Sequence, residues 1–547
     1  MPSPTEKDPE AVSRDAAIVP PPSTQPSPPS TCRPFPLPCS SMTSREAPPP
    51  PKLTSLVQKL SHSLPFVVHL LLVSVAVLSN SLLALAVHLV DGPLHHNWSL
   101  VTTLTHAIVK TTMFMNPPQG FHSIRFVRQT EAIVEGIKAI SRYLPVWFTG
   151  THTIADAEIV IHNAGAFSKF VRDVITEGTS KTTPIEDPLL RTSRSVRGEW
   201  ISRKDLDFAG QDPAVESTTA PLSPASPVIL FVHGGAHYFL SPTSYRPLTT
   251  FLCDSRNASV FALDYRKSPT FIFPSGLEDV LAAYLAMFPP PALLSTDSTL
   301  QDSCSVEFVS ASDSGNAILD QTCRGVHKHH NKPFYMVGDS SGGGLILQAL
   351  AVIKALDWKM PDRVVLLSPF VDTGLESKSW YRNQLSDYMT LDSAGIDWAM
   401  RCYRGEVPLS NRFLSPLLES YKGYGLKILI QAGDSEVLTD DAMRLYQQIV
   451  QTSGDETTCR LELYHGMFHV FQCLGHVASS ATEALKRVEE FLNESDDDVD
   501  TDVEVDLDNE DEQTIYTEHS TSSPSKSMVY LTVETNGSVA ESTISVS

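Results

Sequence analysis

The sequence lacks paired cysteines, lacks an excess of positive charge and, with one exception, lacks long hydrophobic runs. Its eight cysteines (Cys32, Cys39, Cys253, Cys304, Cys323, Cys402, Cys459 and Cys473) form no CxxC pair and show none of the Cys/His spacing of a zinc site. A structural metal is therefore not expected. With 547 residues, 41% of them hydrophobic, the chain can build a large core without a disulfide scaffold. Should the chain beyond its hydrophobic run lie in an oxidising lumen, Cys304 and Cys323, inside one loop, are the first pair to consider. Basic residues are the minority, 41 Lys and Arg against 63 Asp and Glu, for a net charge of -22. That argues against a general nucleic-acid binder, which needs a positive footprint to displace counterions from phosphates.

Much of this charge is local. Twelve acidic and no basic residues lie between Glu494 and Glu512, so residues 494–547 read as a disordered acidic and Ser/Thr-rich tail. Proline is equally uneven, with 16 of the 40 in the first 52 residues. Residues 1–65 read as a second disordered segment, too poor in apolar surface to offset its ordering entropy.

The one long hydrophobic run is 66–90, FVVHLLLVSVAVLSNSLLALAVHLV, with no Asp, Glu, Lys or Arg. As a helix it measures about 37 Å against a hydrocarbon core of about 30 Å, so a single transmembrane helix is expected. Arg45, Lys52 and Lys59 precede it, whereas Lys110 is the first basic residue after it. That bias favours a cytosolic N-terminus, a lumenal remainder and an endoplasmic-reticulum location. The sequons at Asn257, Asn493 and Asn536 would then be open to glycosylation.

Residues 91–155 carry helix-like apolar spacing (Ile133, Ile137, Ile140, Leu144) and form either a membrane-proximal cap or packing helices of the main domain. From 156 to 493 short apolar runs alternate with helix-like ones. Val228–Val232, Val260–Leu263, Phe334–Val337, Val364–Leu367, Ile428–Ile430 and Leu461–Tyr464 read as strands, and Leu277–Met287 as a helix. The pattern predicts an α/β fold with a mostly parallel sheet covered on both faces. Residues 289–332 interrupt it as a loop insertion. His327, His329, His330 and Cys323 lie there without a second cysteine or carboxylate to complete a metal site.

Two motifs carry chemistry. Gly338-Asp339-Ser340-Ser341-Gly342 lies between a strand and a helix-like run, the G-x-S-x-G nucleophile elbow. Ser340 is the candidate nucleophile, and the N–H of Ser341 can face a developing oxyanion. His233-Gly234-Gly235-Ala236 follows the strand Val228–Val232, and the N–H groups of Gly234 and Gly235 are candidate oxyanion donors.

With these motifs the sequence resembles the hormone-sensitive-lipase and arylacetamide-deacetylase branch of the α/β-hydrolases, and within it fungal steryl acetyl hydrolases. The resemblance extends through Leu263-Asp264-Tyr265-Arg266-Lys267-Ser268-Pro269, Leu367-Ser368-Pro369 and Phe413-Leu414-Ser415-Pro416, and covers about 228–492. Arg197-Gly198-Glu199-Trp200-Ile201 is a weaker likeness to membrane-bound steryl deacetylases. Ala236 stands where many members have a third glycine, and Ser341 where alanine is common. The resemblance implies an α/β-hydrolase fold and selects His469, in Tyr464-His465-Gly466-Met467-Phe468-His469, as the base, leaving His465 structural. It implies Glu436 as the acid, where most relatives have Asp, with Asp434 as competitor; Asp440, by its place before a helix-like run, reads as the N-cap of that helix. No metal or organic cofactor is implied.

The function expected is a membrane-anchored serine carboxylic-ester hydrolase that deacetylates a lipophilic ester such as an acetylated sterol. A broader carboxylesterase or lipase is the alternative among enzymes. A non-catalytic receptor or scaffold of the same fold is the alternative from another class. The sequence identifies no protein partner.

Overall fold

Val228, Leu230 and Val232 pack into one hydrophobic core while Ile229 and Phe231 pack into another, so alternate side chains of one strand serve opposite faces of the sheet. This strand and its neighbours organise the computed structural model, which describes residues 74–114, 151–176, 193–204, 226–289, 305–310, 332–389, 396–454, 457–494, 514–516 and 530–535. The strands are β1 (His152–Ile161), β2 (Arg194–Arg203), β3 (Val228–Val232), β4 (Ser259–Asp264), β5 (Val306–Ser310), β6 (Phe334–Asp339), β7 (Arg363–Leu367), β8 (Lys427–Gly433), β9 (Thr458–Tyr464), β10 (Thr514–Tyr516) and β11 (Tyr530–Thr535). They run in the order β10-β11-β9-β8-β7-β6-β3-β4-β2-β1-β5. Pairing is parallel from β4 through β3, β6, β7, β8 and β9 to β11, and antiparallel at both margins.

The described helices are α1 (74–90), α2 (Leu100–Phe114), α3 (Ala164–Ile175), α4 (Arg246–Arg256), α5 (Ser275–Met287), α6 (Ser340–Ala355), α7 (Ser379–Arg382), α8 (Ile396–Arg404), α9 (Thr439–Thr452) and α10 (Ser479–Asn493). α3, α5, α6 and α9 cover one face of the sheet; α4 and α10 cover the other. α5 is buried all round, and at its start Glu278 and Asp279 bring two carboxylates into the interior. Arg266 spans both, 2.7 Å from Glu278 Oε2 and 3.0 Å from Asp279 Oδ1, and Arg194 meets Asp279 at 2.7 Å. Burial opposes the charge on Asp279, but the two guanidinium groups outweigh it and hold the carboxyl below its ordinary range.

Several boundaries differ from expectation. Residues 152–155, assigned above to a membrane-proximal segment, belong to β1, and residues 115–150 of that segment lie outside the described residues. Within the 289–332 insertion, Val306–Ser310 forms an edge strand on β1, while Cys304, Cys323 and the three histidines lie outside the described residues. In the acidic tail, Thr514–Tyr516 and Tyr530–Thr535 are strands, the second pairing parallel to β9. Edge pairing uses main-chain groups, which a polar side-chain pattern does not advertise. Residues 1–65 lie outside the described residues.

Of the expected span, 74–90 form α1, and 66–73 lie outside the described residues. Among the described residues no helix is long and apolar enough to cross a membrane. Val75, Leu78, Leu82, Leu83, Leu89 and Val90 of α1 are exposed. Two of its polar residues face α2: Asn80 Nδ2 donates to Thr111 Oγ1 at 3.1 Å, and His88 Nδ1 lies 2.8 Å from Thr103 Oγ1.

Candidate active site

β3 has β4 on one side and β6 on the other, so the chain reverses its direction of winding there and opens a crevice at the carboxyl ends of β3 and β6. Both motifs empty into it. β6 ends at Asp339, and α6 begins at Ser340, whose φ of 49° is the left-handed conformation of a sharp strand-to-helix turn. The turn requires close approach: a Cβ on Gly342 would lie 2.1 Å from the Val232 carbonyl oxygen. Ser340 is thereby presented to His469, whose Nε2 lies 3.0 Å from Ser340 Oγ.

His469 lies beyond β9, and Glu436 lies just beyond β8. Glu436 is completely buried, and its Oε1 lies 3.9 Å from His469 Nδ1, within ion-pair range. Its Oε2 accepts from Ser368 Oγ at 2.7 Å and from the Gly433 N–H at 3.1 Å. Burial pushes the His469 imidazole down, but the carboxylates of Glu436, Asp387 and Asp339 outweigh it and the group sits above its ordinary value.

Asp434 is turned elsewhere. Its Oδ2 meets His465 Nδ1 at 2.8 Å, and its Oδ1 accepts from the Gly466 N–H at 2.8 Å, which holds this carboxyl below its usual range. The two histidines of the His465–His469 stretch thus have separate acids. Asp440 is not an N-cap: α9 starts at Thr439, and the Asp440 carboxylate instead accepts the Ser379 N–H at 2.9 Å and pairs with Arg382 at 2.7 Å.

The oxyanion turn departs from expectation at one residue. The Gly234 N–H donates to Asp339 Oδ1 at 2.8 Å and is not open to a substrate oxygen. Asp339 also accepts from Tyr245 Oη at 2.7 Å, and burial lifts its carboxyl to about 6. The next two residues, Gly235 with φ 111° and Ala236 with φ 51°, curl the backbone back, and Tyr238 and Phe239 N–H close the turn on Gly235 O at 3.0 and 3.1 Å. A Cβ on Gly235 would lie 2.1 Å from Phe239 O. With the Gly234 N–H engaged, the N–H groups of Gly235, Ala236 and, in the first turn of α6, Ser341 are the candidate oxyanion donors. Ala236 is not among the donors expected from the sequence, because two adjacent glycines do not reveal which N–H is already engaged.

Ser368 was also missed as a site residue, although Leu367-Ser368-Pro369 was prominent. Besides donating to Glu436, its Oγ accepts the Val470 N–H at 3.1 Å, so it ties the end of β7 to the acid and to the residue after His469.

Residues 229–473 match a family model described as alpha/beta hydrolase fold. The domain has the α/β-hydrolase fold. The chain is 27% identical over 264 residues to an acetyl-hydrolase of Streptomyces hygroscopicus, spanning 48% of this chain and 74% of that protein. It is 24% identical over 273 residues to an esterase of Acinetobacter venetianus, spanning 50% of this chain and 76% of that protein. It is 30% identical over 164 residues to the mouse neutral cholesterol ester hydrolase 1, spanning 29% of this chain and 36% of that protein. The α/β-hydrolase domain is that of a serine carboxylic-ester hydrolase.

Proposed function

We propose that this α/β hydrolase is anchored in a membrane by 66–90 and cleaves a lipophilic ester with a short acyl group, such as an acetylated sterol. The observation that carries the assignment of the reacting groups is the 3.0 Å approach of His469 Nε2 to Ser340 Oγ at a strand-to-helix elbow. In this reading His469 takes the Ser340 proton as Oγ attacks the ester carbonyl, and Gly235, Ala236 and Ser341 N–H groups receive the negative charge on the carbonyl oxygen. Glu436 keeps the Nδ1 proton in place and stabilises the imidazolium. The imidazolium then protonates the departing alcohol. Water, deprotonated by the same His469, attacks the acyl-enzyme, releases the acid and restores Ser340.

Three observations support the lipophilic substrate and the anchor. Residues 66–90 contain no charged side chain, α1 exposes a row of Leu and Val, and two of the relatives are named for acetyl and cholesterol esters. The basic residues before 66 favour a lumenal catalytic domain, and Asn257, exposed in a left-handed turn after α4, is the described sequon best presented for glycosylation.

A fluorophosphonate probe on the membrane-bound protein tests the chemistry: labelling is expected in the wild type and absent in Ser340→Ala. Labelling that persists in Ser340→Ala refutes the nucleophile. A panel of esters with the same sterol and acyl chains of increasing length tests the substrate, with the acetate expected to be fastest. Faster turnover of long-chain esters would favour a lipase. A glycosidase-sensitive mobility shift that disappears in Asn257→Gln is the expected result for a lumenal domain.

A further inference from the structure

Resting on the triad proposed above, we propose that Asp387 is a positioning residue that sets the acid and the base of the triad relative to each other through a single carboxylate. Asp387 lies beyond β7, on a segment with no place in either chemical motif, and is completely buried. Its Oδ2 accepts the N–H of Val437, the neighbour of Glu436, at 2.7 Å. Its Oδ1 accepts the N–H of His469 at 3.3 Å, along with its neighbour Tyr388 N–H at 2.7 Å. The loop beyond β8 and the loop beyond β9 are thus fastened to the two oxygens of one rigid group.

The segment is itself held on both sides. Asn383 Nδ2 donates to the Asp434 and Glu436 carbonyls at 3.0 and 2.7 Å, and Ser386 Oγ donates to the Ser435 carbonyl at 2.9 Å. These bonds grip only the acid's loop; Tyr388 lays its ring 6.0 Å from that of His469, and the Asp387 carboxylate hydrogen-bonds to both loops. From behind, Lys110 of α2 donates to the carbonyls of Gln384 and Leu385 at 3.3 and 2.5 Å. The helix next to the expected membrane anchor therefore backs the segment that aligns the triad.

The groups facing Asp387 are Glu436 and His469 on the two catalytic loops, His106 and Lys110 on α2, and Tyr388 beside it. Burial raises the Asp387 carboxyl to about 6, against the lowering by His469, so the group is still ionised at neutral pH. Its charge also helps to hold the proton on His469.

The test compares full-length, membrane-bound wild type, Ser340→Ala, Asp387→Asn and Asp387→Glu, using p-nitrophenyl acetate and the fluorophosphonate probe. Asp387→Asn cannot offer acceptors to both loops. It is expected to lose on the order of 100-fold in kcat with little change in KM, as a misplacement of about 1 Å between reacting groups does. The acid limb of its kcat/KM profile is expected to move to lower pH, because one carboxylate no longer holds the His469 proton. Asp387→Glu keeps the charge and is expected to lose kcat while its acid limb stays where the wild type's lies, a split that a purely structural role would not produce. A folded Asp387→Asn with wild-type kcat and an unmoved acid limb overturns the proposal.

Should Asp387→Asn not fold, hydrogen exchange in the wild type decides. Peptides containing Val437 and His469 are expected to open together with one free energy at about pH 7.5, after correction for intrinsic exchange, because one carboxylate holds both loops, and opening free energies that differ between the two overturn the proposal. Labelling of Ser340→Ala is a separate failure, that of the triad itself.

Discussion

Replacing Glu436 by Gln isolates the acid's electrical role from its packing, because the two side chains have nearly the same shape and this one is completely buried. The structure dictates how the amide must sit. The Oε2 position receives the Gly433 N–H at 3.1 Å and the Ser368 hydroxyl at 2.7 Å, and a backbone N–H cannot become an acceptor. The amide oxygen therefore takes that position, and its NH2 is directed at His469 Nδ1 across the 3.9 Å gap. Nδ1 must then act as acceptor, which puts the imidazole proton on Nε2, 3.0 Å from Ser340 Oγ, where the base needs a lone pair. A triad locked in the wrong tautomer loses about 10⁴ in kcat. With the looser contact here we expect a fall of about 10³ to 10⁴, or roughly 4 to 5.5 kcal/mol of transition-state stabilisation. The assay is steady-state hydrolysis of p-nitrophenyl acetate together with the rate of fluorophosphonate labelling, with Asp434→Asn as the paired control. Asp434 faces His465, so its amide variant should retain kcat within about tenfold. A Glu436→Gln enzyme within tenfold of wild type, or an Asp434→Asn enzyme that is the more damaged of the two, refutes the reasoning.

Gly235→Ala should lower kcat by at least about 100-fold in a protein that circular dichroism shows to be folded, since its Cβ would collide with Phe239 O and displace two oxyanion donors. The acid limb of kcat/KM should lie above pH 6.5: the base works when neutral, and surrounding carboxylates raise its value, so activity is lost as pH falls through that raised value. A midpoint below 6.5 in a pH–rate profile would contradict this. Arg266→Met should destabilise the fold by about 3–5 kcal/mol in urea denaturation at pH 7, because it strips a partner from two buried carboxylates. The contribution of Asp279, whose carboxyl is depressed, is present above its unfolded value and is lost as pH falls through the lower folded one, so the deficit should shrink in strong acid.

Features set by neighbours in sequence were legible in the sequence. The apolar runs that became β3, β6, β7, β8 and β9 follow from their composition, and the elbow at Ser340 follows from glycines flanking a serine between a strand and a helix. Edge strands were not legible, because β5 and β11 are short apolar-containing runs of five and six residues inside otherwise polar segments, and they join the sheet through main-chain hydrogen bonds. The acid was legible only as a choice of two: Asp434 and Glu436 stand two residues apart, and what separates them is that one meets His465 and the other His469.

By itself, then, the sequence determined the class of fold, the nucleophile's turn and the uncharged run 66–90, because each depends on local sterics or on hydrophobicity along the chain. Tertiary structure decided which N–H groups of the oxyanion turn remain open, which carboxylate faces which histidine, and that Asp387 reaches both catalytic loops. These are contacts between groups from about 30 to more than 100 residues apart, and a hydrogen bond at 3 Å depends on where packing brings two strand ends together, which spacing in a sequence does not encode.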